Sequence, residues 1–566
     1  MKHKNRKIAK TGVAIALATS MLANTVEGIF AEGENNVQED TSKDLVVEDK
    51  QIIEEEKVEE AVEEVAKEAE REKEIEDFLA SESMIETEEK EVPLSEEKQT
   101  ASYALSWRKF RNEYVKIITL QGGSTVTFTN QPVPAGVTTK DLTDANDRSV
   151  VSYRVGNDLI VTTNGVDQKI KFPERSDYLL ANIDAISTKS QVTAIDLSNV
   201  DTSDVVSFRE MFSGCINLKN LDLSNFDTSK ATNMYRMFFY CKSLVTADIT
   251  SFDTSNVTNM SGMFEICHSL TVADVSRFNT EKVIDMENMF YRCEKLATID
   301  TSNFKTPSLE RMANMFNGCK SVTELDLSGF NTEKVTSMYS LFDQCESLVN
   351  LDISSFDTSN VYAMEYMFYR CSSLKSLDLS HFNTAKVEKM ISMFAYCNSL
   401  VSLDVSSFDT STVNNMRSMF SSCESLLSVD TSKFNTENVT NMEQMFFECK
   451  SLTSLDVSNF DTSKVQTMQR MFAYCNSLNS LDVSNFNTSK VEDMKYMFTE
   501  CTSLSTLDVS NFDTSNVKDM KWMFYYCTSL PELDLSNFDT SNVESMYAMF
   551  YNCNSLTSLN VSSFNT

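Results

Sequence analysis

All fourteen cysteines, from Cys215 to Cys553, stand 26 residues apart with no insertion over 338 residues (553 minus 215). A fixed period of this length is the signature of a stacked repeat array, whose units cannot bury their apolar faces alone. Other residues keep the same period. One unit reads Leu452-Thr-Ser-Leu455-Asp456-Val457-Ser458-Asn-Phe460-Asp461-Thr-Ser-Lys-Val465-Gln-Thr-Met468-Gln-Arg-Met471-Phe472-Ala-Tyr-Cys475. Two methionine columns, Met234 to Met546 and Met211 to Met549, hold 26 of the 29 methionines, with Phe208 and Leu341 as the interruptions.

In each unit, Leu-x-x-Leu-Asp-Val-Ser has the alternation of a short strand with its first, fourth and sixth residues inward. The Asp-Thr-Ser that follows supplies side-chain acceptors suited to a helix N-cap. Val465, Met468, Met471, Phe472 and Cys475 then fall at i, i+3, i+6, i+7 and i+10, the spacing of one helix face. The expected fold class is an α/β repeat solenoid: a leucine-rich-repeat-like parallel β-sheet with short helices on the outer face, preceded by a small β module. Fourteen repeats over residues 183–566, at about 4.8 Å per rung, make a rod or arc.

The motif Cys-x-Ser-Leu-x-x-Leu-Asp-Val-Ser-x-Phe-Asp-Thr-Ser-x-Val-x-x-Met-x-x-Met-Phe resembles the repeat of BspA-like leucine-rich repeat surface proteins. The resemblance covers about residues 195–566. It implies a curved solenoid with a parallel sheet on its inner face, export by a bacterium, and adhesion to host proteins or other cells. It carries no shared catalytic residues. Departures include Ala247, Ala273, Ile299 and Val429 at the fourth strand position. Lys305-Thr-Pro307 replaces Asp-Thr-Ser in one unit, where an altered helix start or a local bend is expected.

The flanking sequence has another character. Lys2, Lys4, Arg6, Lys7 and Lys10 precede an apolar stretch from Gly12 to Ala23. That order reads as a secretory signal over residues 1–31, cleaved near Ala31. Residues 32–100 hold 27 acidic against 8 basic residues, which reads as a solvated acidic stalk or linker. In residues 101–182, Ser124–Thr129 alternates, and Val150–Val155, Gly156-Asn157-Asp158 and Leu159–Thr162 read as strand, turn and strand. Asn164-Gly165 is a second hairpin signal leading into Val166–Phe172. This β module is expected to cap the first rung of the array. The chain stops at Thr566, part-way through a repeat, so a longer product or a cap of another kind is expected.

The formal charge of −33 makes nucleic acid and anionic membrane poor partners. Only His268 and His381 remain beyond the signal, and no Ser-His-Asp order, HExxH, P-loop or GxGxxG appears. The chain is therefore read as no enzyme, with no cofactor and no resident metal. Zinc sites want paired short Cys spacings, which the series lacks. The cysteines are expected as buried free thiols and the methionines as core. The Asp column from Asp222 to Asp534 should point outward from the sheet, held by Ser and Thr hydroxyls beside it, with calcium as the functional alternative. The candidate ligand-binding face comprises Asp352, Asp378, Asp404, Asp430, Asp456, Lys375 and His381. A scatter of tyrosines, including Tyr366, Tyr369, Tyr396 and Tyr547, with Trp522, marks the opposite face as the rival surface. The expected function is that of a secreted or cell-surface protein that binds a host extracellular or bacterial surface protein or glycan, without membrane insertion of the mature chain. The alternative is a structural spacer without a specific ligand.

Overall fold

The computed structural model describes residues 103–118, 123–182 and 192–565. All belong to one compact unit, Leu94–Thr566, while a second unit, Met1–Pro93, lies wholly outside the described residues. The secretory signal and the acidic segment are therefore not among the parts described.

The first elements are helix α1 (Trp107–Ile118) and strands β1 (Ser124–Thr129), β2 (Lys140–Asp141), β3 (Val151–Val155), β4 (Asp158–Thr162) and β5 (Ile170–Lys171). The hairpin read from Val150 to Thr162 forms, with β3 and β4 antiparallel. Helix α1 is an addition to the all-β module expected here. Phe110, Tyr114 and Ile117, at i, i+4 and i+7, are its buried stripe, a helical period that is plain once sought. Phe110 packs on Phe128 of β1 at 5.6 Å between ring centroids. The second hairpin, at Asn164-Gly165, does not form. The Gly165 N–H bonds instead to the Asn130 carbonyl (2.8 Å), and β5 goes on to pair in parallel with β7 (Val200–Asp201).

Strand β6 (Val192–Asp196) opens the array. It lies parallel to β1 in a five-stranded sheet of order β2-β3-β4-β1-β6. Beyond it, every strand pair in the repeats is parallel and offset by one unit. Glu324, Leu325 and Asp326 face Asn350, Leu351 and Asp352, and Ser376 and Leu377 face Ser402 and Leu403. Burial alternates along the repeat strands from Asn220 to Asp534. In Glu324–Asp326 the Leu is buried and its neighbours are exposed, because successive side chains leave a strand on opposite faces.

The short outer helices are absent among the described residues; consecutive turns take their place. In the unit quoted above, the N–H groups of Met471, Ala473 and Cys475 bond back three residues, to the carbonyls of Met468, Arg470 and Phe472 (3.1–3.2 Å). The intervening N–H groups of Met468, Arg470, Phe472 and Tyr474 bond to Asp493, Lys495, Met497 and Thr499 of the next rung (2.7–3.1 Å). An α-helix would use every N–H within its own segment. Here the neighbouring rung offers carbonyls at the right height, and alternate donors go to it. Two residues per unit take a left-handed backbone, Arg470 (φ 56) and Tyr474 (φ 62) in this one. Each such residue costs about 1–2 kcal/mol when it is not glycine, offset by the bond its N–H makes to the next rung.

The Asp-Thr-Ser segment is likewise no helix cap. Its Asp closes a local turn by accepting the Ser N–H two residues on, as Asp461 does from Ser463 (2.9 Å). Its Thr joins rungs. Thr410 is fully buried; its Oγ1 donates to the Asn435 carbonyl (2.9 Å) and accepts the Asn435 N–H (2.7 Å).

The core is one continuous cluster from Leu105 to Met549. A column of phenylalanines, Phe212 to Phe550, stacks rung on rung with centroids 5.3–5.9 Å apart and rings within 15° of parallel. All fourteen cysteines are free thiols. Each thiol donates to a carbonyl of the preceding rung, as Cys423 does to Phe394 (3.2 Å). The backbone bridges from Arg175 onward recur at every unit except between Arg311 and Ser337, at the Pro307 rung.

Candidate functional site

On the sheet face each unit exposes three rows. In the central units the first row is Val349, Lys375, Val401 and Leu427; the second is Asn350, Ser376, Ser402 and Ser428; the third is Asp352, Asp378, Asp404 and Asp430. The parallel register carries each row from rung to rung. The intervening Leu351, Leu377, Leu403 and Val429 point into the core or lie against it.

Two shallow concavities lie on this face. One, of about 660 Å³, is lined by Thr298–Ser302, Glu324–Asp326, Val349–Asp352 and Ser376–Asp378. The other, of about 510 Å³, is lined by Ser376–Asp378, Ser402–Asp404, Ser428 and Asp430. They share Ser376, Leu377 and Asp378, and so make one groove over six rungs.

Each Asp of the row closes a local turn. Asp378 Oδ1 accepts both the N–H (3.0 Å) and the hydroxyl (2.7 Å) of Ser380. Asp352 is held the same way by Ser354, and Asp456 by Ser458. These bonds stabilise the carboxylate form. The Ser380 hydroxyl and N–H hold Asp378 below the usual carboxylate range. At Asp404 the flanking charges of Asp378 and Asp430 push the other way, yet the bonds from Ser406 prevail and its value is also lowered. Exposed carboxylates are ionised at neutral pH even at the ordinary value of about 3.9, and these bonds only deepen that preference. The hydroxyls beside the row bond it as expected, each within its own rung. No three His, Cys, Asp or Glu side chains among the described residues converge as a metal site requires.

The face brings together Asp352, Asp378, Asp404, Asp430 and, beside them, exposed Lys375. Asp456 continues the row beyond the groove. His381 is engaged elsewhere. Its Nε2 lies 3.0 Å from the Ile353 carbonyl of the preceding rung, and its ring stands edge-on to Phe382. Ser355 and Ser407, one unit before and after, make the same kind of bridge, to Leu327 and Leu379. His381 is therefore a tie between rungs. Sequence reasoning overlooked Val401 and Leu427, which are 43 % and 51 % exposed. The signal was available, since large aliphatic residues stand there in a row that elsewhere carries Lys219, Thr453, Asn479 and Ser505.

The turn face keeps many of its aromatics to itself. Trp522, Tyr496 and Tyr525 are buried, with Trp522 stacked on Tyr496 at 4.6 Å. Tyr366, Tyr369 and Tyr396 meet edge to face, and Arg370 lies over Tyr369 and Tyr396. Tyr362 and Tyr547 are exposed. No helix among the described residues is long and apolar enough to cross a membrane.

Parallel rungs of 26 residues, tied by threonine, phenylalanine and cysteine columns and flanked by one grooved sheet face, define a repeat protein with an extended open surface. The chain belongs to the family DUF285, described as "Mycoplasma protein of unknown function", which matches residues 181–298, 266–377, 310–431, 398–505 and 479–566. Nothing among the curated proteins matches. Among solved structures, one similar chain is described as "Functional domain of InlJ from Listeria monocytogenes includes a cysteine ladder", with 17 % identity and a TM-score of 0.18. That match covers 57 % of this chain and 59 % of the other. Another is described as "Crystal structure of TLR13-ssRNA13 complex", with 16 % identity, 67 % and 72 % coverage and a TM-score of 0.19. At these scores neither likeness bears on fold or function.

Proposed function

We propose that the chain is an exported bacterial surface protein whose repeat array binds a protein or glycan partner on the sheet face, as an adhesin for host or neighbouring cells. The groove over six rungs, with its Asp row and with exposed Val349, Val401 and Leu427 on the same face, is the observation that carries this reading. The resemblance of the repeat to BspA-like surface proteins supports it. So do the secretory character of residues 1–31 and the acidic residues 32–100, read as a leader and a spacer. Residues 101–182 then cap the array of residues 183–566, formed as a leucine-rich-repeat-like solenoid. The protein acts by binding, without catalysis.

The test is binding of the labelled, processed chain to host cells and to neighbouring bacteria. Saturable binding, competed by unlabelled chain, is expected. A signal that rises linearly with concentration on every surface tried would favour the spacer.

A further inference from the structure

The sheet face offers more than a place; its rows specify what fits. Six carboxylates, Asp300 to Asp430 at one per rung, line the groove together with Glu324. In the three exposed rows of these rungs Lys375 is the one cation. At Asp352, Asp378 and Asp326 the Ser bonds reach Oδ1, which leaves Oδ2 to an incoming donor. The first row is an independent feature: over the six rungs it runs Ala297, Thr323, Val349, Lys375, Val401 and Leu427. Val349, Val401 and Leu427 are 41 %, 43 % and 51 % exposed, although a polar side chain would serve the fold equally at an outward position.

In each rung the aliphatic residue stands just ahead of the strand, before Asn350, Ser402 or Ser428, and three residues before the Asp, so the two rows are at most about 10 Å apart. Six rungs at about 4.8 Å span roughly 24 Å. An extended chain laid along the array advances about 6.7 Å per residue pair. Its alternate side chains point to opposite sides, one set over the Asp row and the other over the first row. We infer that the groove takes an extended segment of a partner protein in which basic and aliphatic residues alternate over about eight positions. This rests on the sheet face being the binding surface. Charge complementarity selects the basic set; the exposed aliphatics select the other. A glycan would meet the carboxylates with neutral hydroxyls and leave the exposed aliphatics uncovered.

The probe is a blocked octapeptide of alternating Lys and Leu, titrated against the full processed chain by calorimetry. Controls are a peptide of the same composition with its Lys and Leu in two blocks, and an alternating Glu and Leu peptide. The alternating Lys peptide should bind best, and should weaken as salt rises from about 0.05 to about 0.5 M. The triple variant Asp378→Asn, Asp404→Asn, Asp430→Asn should weaken it about tenfold, from three exposed ion pairs. Asn keeps the oxygen that accepts the Ser N–H, so the turns survive. The pair Val401→Thr, Leu427→Gln should weaken it without changing the salt dependence. Equal affinity for the block or Glu peptide, or for the triple variant, overturns the inference. If cell-surface binding is lost in the Val401/Leu427 pair but indifferent to salt and to Asp→Asn, the basic segment is wrong and the face is right. If cell binding survives both sets and is lost in Tyr362→Ser, the face itself is wrong.

Discussion

Replacing Thr410 by Val removes one hydroxyl and little volume, and so isolates the tie between rungs. Thr410 is fully buried, and its Oγ1 serves both the N–H and the carbonyl of Asn435. Thr and Val are not interchangeable where the hydroxyl is bonded. Each hydrogen bond contributes about 0.5–1.5 kcal/mol net, and leaving a buried group unsatisfied costs about 1–3 kcal/mol. Two backbone groups lose their partner, so Thr410→Val should cost about 2–4 kcal/mol. Thr410→Ser keeps the hydroxyl and gives up one methyl, worth about 1 kcal/mol. Urea denaturation followed by circular dichroism reads the difference, with the slope compared between variants to verify that the same surface unfolds. Thr410→Val as stable as the parent, or Thr410→Ser as damaging as Thr410→Val, would refute the ladder as a source of cohesion.

Alkylation at neutral pH should label Cys553 first, because it is half-buried and its thiol is pushed up only to about 11. The other thirteen are buried and should react only after denaturation; few reactive thiols in denaturant without reductant would contradict this. Acid should destabilise the array. Ser bonds lower Asp222, Asp404 and Asp461, so their contribution is present above the unfolded value of about 3.9 and is lost as pH falls through the lower folded values. Burial raises Glu265, Glu287 and Asp493, whose contribution is present at low pH and lost as pH rises through their folded values. The lowered group is the larger, so the urea midpoint should fall below about pH 4; a midpoint that rises there would contradict the assignment. Phe394→Asn, in the middle of the Phe stack, should split unfolding into separable steps; a single cooperative transition would count against nearest-neighbour stacking.

The strands were legible because Leu-Asp alternation is a property of one unit and its two faces. The turns were not. Val465, Met468, Met471, Phe472 and Cys475 face the core at intervals of three and four residues, which helices and consecutive i→i−3 turns both produce. The two left-handed positions carry no glycine rule: Glu210, Arg236, Tyr366 and Trp522 all occupy one of them. The missed clue lay in Asp-Thr-Ser. The first position varies among Asp, Asn and Lys305, whereas Thr stands in every unit from Thr202 to Thr540. A cap tolerates exchange; a buried bond to a neighbouring rung does not. The Asp row was placed correctly on the exposed face, since strand alternation decides it. His381 misled because its partner, Ile353, lies 28 residues away and only stacking brings them together. Exposed Val401 and Leu427 escaped notice because exposure depends on where each strand begins, which the period alone does not specify.

The most direct test of the binding face compares three full-length chains on the same cells. These are the parent, a sheet-face variant carrying Asp378→Asn, Asp404→Asn, Asp430→Asn, Val401→Thr and Leu427→Gln, and a turn-face variant carrying Tyr362→Ser. Circular dichroism first verifies that all three fold alike. Parent and Tyr362→Ser should then bind saturably with equal affinity, and the sheet-face variant should fall by about tenfold or more. Undiminished binding by the sheet-face variant would contradict the assignment.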